Sequence, residues 1–113
     1  MLKKVSFNYK GKRFNIAAEN CDYLRKISGL MFIGKEKARA LLFDFKEPVD
    51  LKIHSFFVFF PFIAVWLSEK NEIIEVKKVK PFTFSVRPKE KFSRLLEIPI
   101  NQKYGKEISR LGK

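Results

Sequence analysis

The chain has 113 residues, 46% hydrophobic and 15% aromatic with 13 Phe, and a formal net charge of +12. That length fits one domain, 1–113, with a substantial core, and the hydrophobic content excludes a disordered polyelectrolyte. The 24 Lys and Arg against 12 Asp and Glu create a field that attracts polyanions without specifying which.

Val5, Phe7 and Tyr9 alternate with Lys4, Ser6, Asn8 and Lys10, the pattern of a strand with one wet face. Gly11 marks a turn, and Phe14, Ile16 and Ala18 continue the alternation, which predicts a hairpin. Asn20 or Asp22 can cap a short helix near 21–31, whose apolar positions are Leu24, Ile27 and Met31. Ala40 to Phe45 reads as a strand buried on both faces, closed by a turn at Lys46-Glu47-Pro48.

The stretch IHSFFVFFPFIAVWL, residues 53–67, is the most apolar in the chain. As a helix, 15 residues would span about 22 Å, short of the roughly 30 Å hydrocarbon core of a bilayer. Pro61 would break that helix near its middle. The density of Phe, Val and Ile predicts two buried strands divided at Phe60-Pro61, with no membrane span.

Ser68 to Asn71 is a polar turn, and Ile73 to Val79 reads as the return strand of a second hairpin. Phe82, Phe84 and Val86 alternate as a further strand, Leu95 to Ile98 forms the last, and Tyr104, Ile108 and Leu111 mark a short C-terminal helix capped by Asn101. Many short strands at close spacing define a mostly-β fold, a sandwich or barrel with helical trimmings.

Several chemistries are excluded or left without a constellation. One Cys, Cys21, and one His, His54, cannot build a four-ligand zinc site or a disulfide, and no Gly-rich phosphate loop is present. No cofactor is called for, and the lone cysteine with no apolar leader suits a cytoplasmic protein. Asp44 and Glu97 lie inside apolar strands and read as strand-end or solvent-face carboxylates, with a pocket role the alternative. Lys77, Lys78, Lys80, Arg87, Lys89, Lys91 and Arg94 surround Phe82 and Phe84, and Lys77, Lys78, Arg87, Lys89 and Lys91 are anion-binding candidates. Basic residues among aromatics can hold a nucleic-acid backbone while bases stack on the rings. Strand alternation, however, turns Phe82 and Phe84 inward and leaves the charges as a solvated face.

Gly29-Leu30-Met31, Leu41-Leu42-Phe43-Asp44-Phe45, the stretch around Pro61, Lys80-Pro81 and Leu96-Glu97-Ile98-Pro99 occur in the order of a known family's landmarks. The chain resembles the "domain of unknown function 192" family. The resemblance implies a compact mostly-β sandwich or barrel and no established activity. It carries over Arg25, Gly29, Met31, His54, Pro61 and Glu97. The family's usual Met before the central strand corresponds to Ser55, its usual central Asp to Ile63, and its closing Gly-Asp to Gly112-Lys113. Ligand-pocket candidates are Arg25, His54, Trp66 and Glu97. The reading is a non-enzymatic binding or accessory domain. The alternatives are a basic RNA- or DNA-binding module and a small hydrolase-like enzyme. Ligand, partner and oligomeric state are not specified by these residues.

Overall fold

A computed structural model describes residues 2–21, 30, 33–55 and 57–112. Six strands form one curled sheet: β1 Leu2–Tyr9, β2 Lys12–Asn20, β3 Leu41–Val49, β4 Phe62–Leu67, β5 Ile73–Val79 and β6 Phe92–Pro99. A 3-10 turn, Gln102–Tyr104, leads into helix α1, Gly105–Leu111. The predicted helix near 21–31, with Met31, lies almost wholly outside the described residues.

The order across the sheet is β1-β2-β3-β6-β4-β5. Hairpin β1–β2 turns at Lys10-Gly11, both at positive φ (50° and 77°), the primed geometry that matches strand twist. β2 and β3 pair in parallel through Glu19↔Leu41 and Asn20↔Leu42, so residues 21–40 cross over between them. The remaining pairs are antiparallel. The sheet curls until the edge strands β1 and β5 come back into contact, which makes a half-barrel.

Curling gives the sheet an inside and an outside. Val5, Phe7, Phe14, Ile16, Leu42, Ile63, Val65, Leu67, Leu96 and Ile98 fill the inside, and Tyr104, Ile108 and Leu111 close it. Phe7 and Phe14 stack with ring centroids 5.2 Å apart, and the Arg110 guanidinium lies 4.6 Å from the Phe14 centroid. The Tyr104 hydroxyl accepts from the Ala40 amide at 2.7 Å, pinning the helix entrance to the start of β3.

The outside of the central strands is buried as well. Leu41, Phe43, Phe62, Ala64, Trp66, Phe92 and Leu95 point that way and lie beneath Val58, Phe60 and Ala38. Two excursions supply much of the cover, residues 50–61 between β3 and β4 and residues 80–91 between β5 and β6. β4 is consequently buried at all six positions, and its residues alternate between the two layers.

Four sequence expectations are corrected. β3 does not close at Lys46-Glu47-Pro48; it runs on to Val49 across a bulge where Lys46 takes φ 65° and donates to the Asp44 carboxylate. Only the second half of the run 53–67 is a strand. The described residues of 53–60 form no named strand of the sheet and join the 80–91 excursion through the bridge Ile53↔Val86 and hydrogen bonds of Ser55. Phe82, Phe84 and Val86 form no strand, and Phe82 and Phe84 point outward. Asn101 makes no side-chain cap; its amide donates to Lys35 and Ala38 carbonyls at 2.9 and 3.1 Å and anchors the crossover.

Leu96, fully buried inside the curl, tests this layering. Leu96→Ala should lower unfolding free energy by about 2–5 kcal/mol in urea denaturation. A drop under about 1 kcal/mol would show that this layer is not close-packed.

Candidate functional site

Among the described residues, the two excursions form the surface where large apolar side chains collect. Phe57, Phe59, Phe82 and Phe84 are 48, 59, 51 and 81% exposed, and Leu51 nearby in sequence is 45% exposed. In the first excursion the neighbours Val58 and Phe60 point inward, so rings alternate between cover and surface. Phe59 and Phe82, one from each excursion, meet edge-on with centroids 5.6 Å apart.

Ser55 fixes this arrangement. Its amide donates to the Thr83 carbonyl at 2.9 Å and its carbonyl accepts from Phe82 at 2.8 Å. Its hydroxyl donates to the Lys80 carbonyl and accepts from the Thr83 amide at 2.6 Å. Ser55 is fully buried, so its end of each bond is shielded from water. Phe57 and Phe82 are held at φ 60° and 58°, a left-handed backbone that bulky residues adopt only where the surroundings impose it.

The basic candidates divide by what they touch. Lys77 pairs with Glu75 at 3.5 Å and donates to the Arg87 carbonyl at 2.8 Å; Glu75 also accepts from the Lys89 amide. That set fastens the second excursion to β5, so Lys77 is part of the scaffold. Arg94 is likewise engaged, with Asp44 at 3.3 Å and Asn71 at 2.7 Å. The residues Lys52, Lys78, Lys80, Arg87, Lys89 and Lys91 are exposed. Within the excursions, Lys52, Lys80, Arg87, Lys89 and Lys91 stand against Asp50 and Glu90.

The pocket candidates fall in different settings. Arg25 lies outside the described residues, and His54 is exposed on the first excursion. Trp66 and Glu97 face the same outer layer from adjacent strands, in the register Ala64↔Glu97 and Trp66↔Leu95. Trp66 is fully buried, and its Nε1 finds no partner among the described residues. Glu97 is not a solvent-face residue as its strand position suggested. It is 6% exposed, with Leu41 and Ala64 as cross-strand neighbours. Burial pushes its carboxyl from 4.5 up to about 8. Three open clefts of about 460, 500 and 430 Å³ are lined by neither His54, Trp66 nor Glu97. Among the described residues no group of His, Cys, Asp and Glu is placed to hold a metal ion. None of their helices is long and apolar enough to cross a membrane.

Ser55, Phe57 and Phe59 were not legible as site residues. Their one signal was the alternation Phe57, Phe59 against Val58, Phe60, in which both sets are apolar.

A small β-rich half-barrel with a double-sided central sheet defines the class, and comparison with known proteins defines the family. The model of DUF192, described as an uncharacterized ACR family, matches residues 7–109, and the chain belongs to that family. Among curated proteins, none matches the sequence. A Sinorhizobium meliloti 1021 structure described as "a putative transcription regulator" is similar, with TM-score 0.76 at 17% identity, covering 98% of this chain and 85% of that one. A protein of unknown function from Novosphingobium aromaticivorans DSM 12444 has TM-score 0.74 at 16% identity, covering 98% and 79%. At these identities the likeness is one of fold.

Two measurements test the site. Ser55→Ala should cost about 1–3 kcal/mol by stranding the Thr83 amide, while the Lys80 carbonyl keeps the Thr83 hydroxyl, and should speed hydrogen exchange at Phe82 and Thr83. Unchanged exchange there would separate Ser55 from the geometry of the loops.

Glu97 predicts a pH dependence. Below pH 4.5 its carboxyl is protonated in folded and unfolded chains alike. Between 4.5 and about 8 the unfolded chain ionises first, so its contribution to stability falls by up to about 1.4 kcal/mol per pH unit. Glu97→Gln should remove that decline and gain on the wild type steadily from pH 5 to 8. Parallel stability curves for the two proteins would place an ionised carboxylate at Glu97.

Proposed function

We propose that this DUF192 protein is a non-enzymatic, cytoplasmic binding domain, acting as one unit without a cofactor, and that it docks a negatively charged partner on its aromatic face. The observation that carries this reading is the set of four exposed Phe on two excursions locked together by Ser55. Exposed rings contribute little to folding, and two of them sit on unfavourable backbone. Strain of this kind collects at binding surfaces, where rigid apolar groups must be presented rather than buried. The surplus of basic over acidic residues in the same excursions supports an anionic partner. The cytoplasmic setting rests on Cys21, buried and without a second cysteine to pair with.

An enzymatic reading gains no support from the placement of its candidates. His54 is exposed, whereas Glu97 is buried with its carboxyl neutral near pH 7. General acid–base work requires such groups to converge on one substrate position.

The anionic fluorescent probe 8-anilinonaphthalene-1-sulfonate tests the face directly, because it needs apolar surface and a cation together. The native protein should enhance its emission at neutral pH. Phe59→Ser/Phe84→Ser should abolish the enhancement while shifting unfolding free energy by less than about 1 kcal/mol. Destabilisation by several kcal/mol would show that these rings are core, and unchanged emission would place the probe, and the docking face, elsewhere.

A further inference from the structure

We propose that the aromatic face takes single-stranded nucleic acid, with unpaired bases stacking on Phe59, Phe82 and Phe84 and phosphates held by Lys52, Lys80 and Arg87. This rests on the docking face described above and names its ligand.

The placement of the cations supports it. Lys52 and Arg87 immediately flank the bridge Ile53↔Val86, and the Lys80 carbonyl is held by the Ser55 hydroxyl. Each of these three basic residues therefore leaves a backbone position that is already fixed, on the same two excursions as the exposed rings. Exposed rings and cations on fixed backbone match a polymer that alternates flat apolar bases with charged phosphates. Phe84, 81% exposed, offers ring surface to a base. The edge-on Phe59–Phe82 pair, at 65° between planes, presents two ring surfaces in different directions. Exposed Ser85, next to Phe84, can meet base edges.

The same features disfavour the other occupants. A second copy of the chain would set five basic and two acidic excursion residues against an identical set, like charge against like. A bilayer accepts rings best as a continuous apolar wedge, and this face is interrupted by exposed His54 and Ser85. A duplex keeps its base faces stacked inside, out of reach of rings on the protein surface.

The experiment is fluorescence anisotropy with labelled oligo(U) and oligo(dT) of about 12 nucleotides, within the span one small domain covers, and a hairpin duplex as control. Salt is varied from low to physiological. Single strands should bind at physiological salt and the duplex much more weakly. Phe59→Ser/Phe84→Ser should weaken single-strand binding roughly ten-fold or more, in keeping with the stacking each ring supplies. Lys52→Ala/Lys80→Ala/Arg87→Ala should flatten the slope of log K against log salt by roughly 0.7 for each phosphate no longer neutralised.

Equal affinity for single strand and duplex, vanishing together as salt rises, would overturn the inference and leave only the net charge. So would a Phe double variant that binds single strands as tightly as the wild type. Co-sedimentation with phosphatidylserine vesicles, without oligonucleotide binding, would overturn it in favour of a lipid surface. Wild-type enhancement of the fluorescent probe, alongside absent oligonucleotide binding, would sink the nucleic-acid ligand while the docking face stands. Absence of both would sink the face as well.

Discussion

Strand β4 has no face to give to water. Its six residues, Phe62 to Leu67, are all buried, three facing into the curl and three facing away from it. An apolar strand of this kind needs a layer on each side, and a single curled sheet provides only the inner one. The outer layer must be made from chain that is not part of the sheet. Here the excursions 50–61 and 80–91 serve that purpose, with Val58, Phe60 and Val86 packed against Phe62, Trp66 and Val79. The unusual surface of the molecule follows from that need.

A covering layer without its own strand ladder has a hydrogen-bonding problem, since its backbone groups next to the core cannot all reach water. Ser55 answers it at the point of greatest burial, bonding to Lys80, Phe82 and Thr83 with backbone and side chain together. Once the two excursions are joined there, the register between them is set. Residues that do not face the sheet must then face solvent, whatever their polarity. Phe57 and Phe59 are outward because Val58 and Phe60 are inward. Necessity explains that something points outward at these positions; it does not explain why the residues are phenylalanine. Lysine or serine would serve the fold equally there, and the choice of four rings is the reason to look for a partner.

How far the sequence could show this depended on the period of each segment. In β1, β2 and β6 the apolar residues recur on ladders that exist, so Val5-Phe7, Phe14-Ile16 and Leu96-Ile98 all took their expected places. The return strand Ile73–Val79 and the C-terminal helix were equally legible, one from a polar turn at Ser68–Asn71 and the other from apolar spacing. Phe82-Phe84-Val86 shows the same period and has no strand beneath it. Pro81 and Pro88 bracket that segment, and Phe82 leaves the extended region altogether at φ 58°. Apolar alternation reports that one side differs from the other, and leaves open whether the apolar side meets a core or a ligand. Glu97 failed for the reverse reason. A carboxylate in a strand is ordinarily an outward residue, and only the hidden second layer makes its position a buried one.

Burial is the cause of the raised Glu97 carboxyl. Cations that do enter the architecture work at its margins. Arg94 meets Asp44 at the β3 bulge, Lys77 fastens the second excursion, and Arg110 lies over Phe14 where α1 meets β2. Among the described residues the outer layer buries Glu97, while Lys52, Lys80, Arg87, Lys89 and Lys91 are exposed on the excursions that carry the outward rings. The two excursions carry five basic and two acidic residues together with four exposed rings, which fits a surface whose apolar and cationic parts are used together.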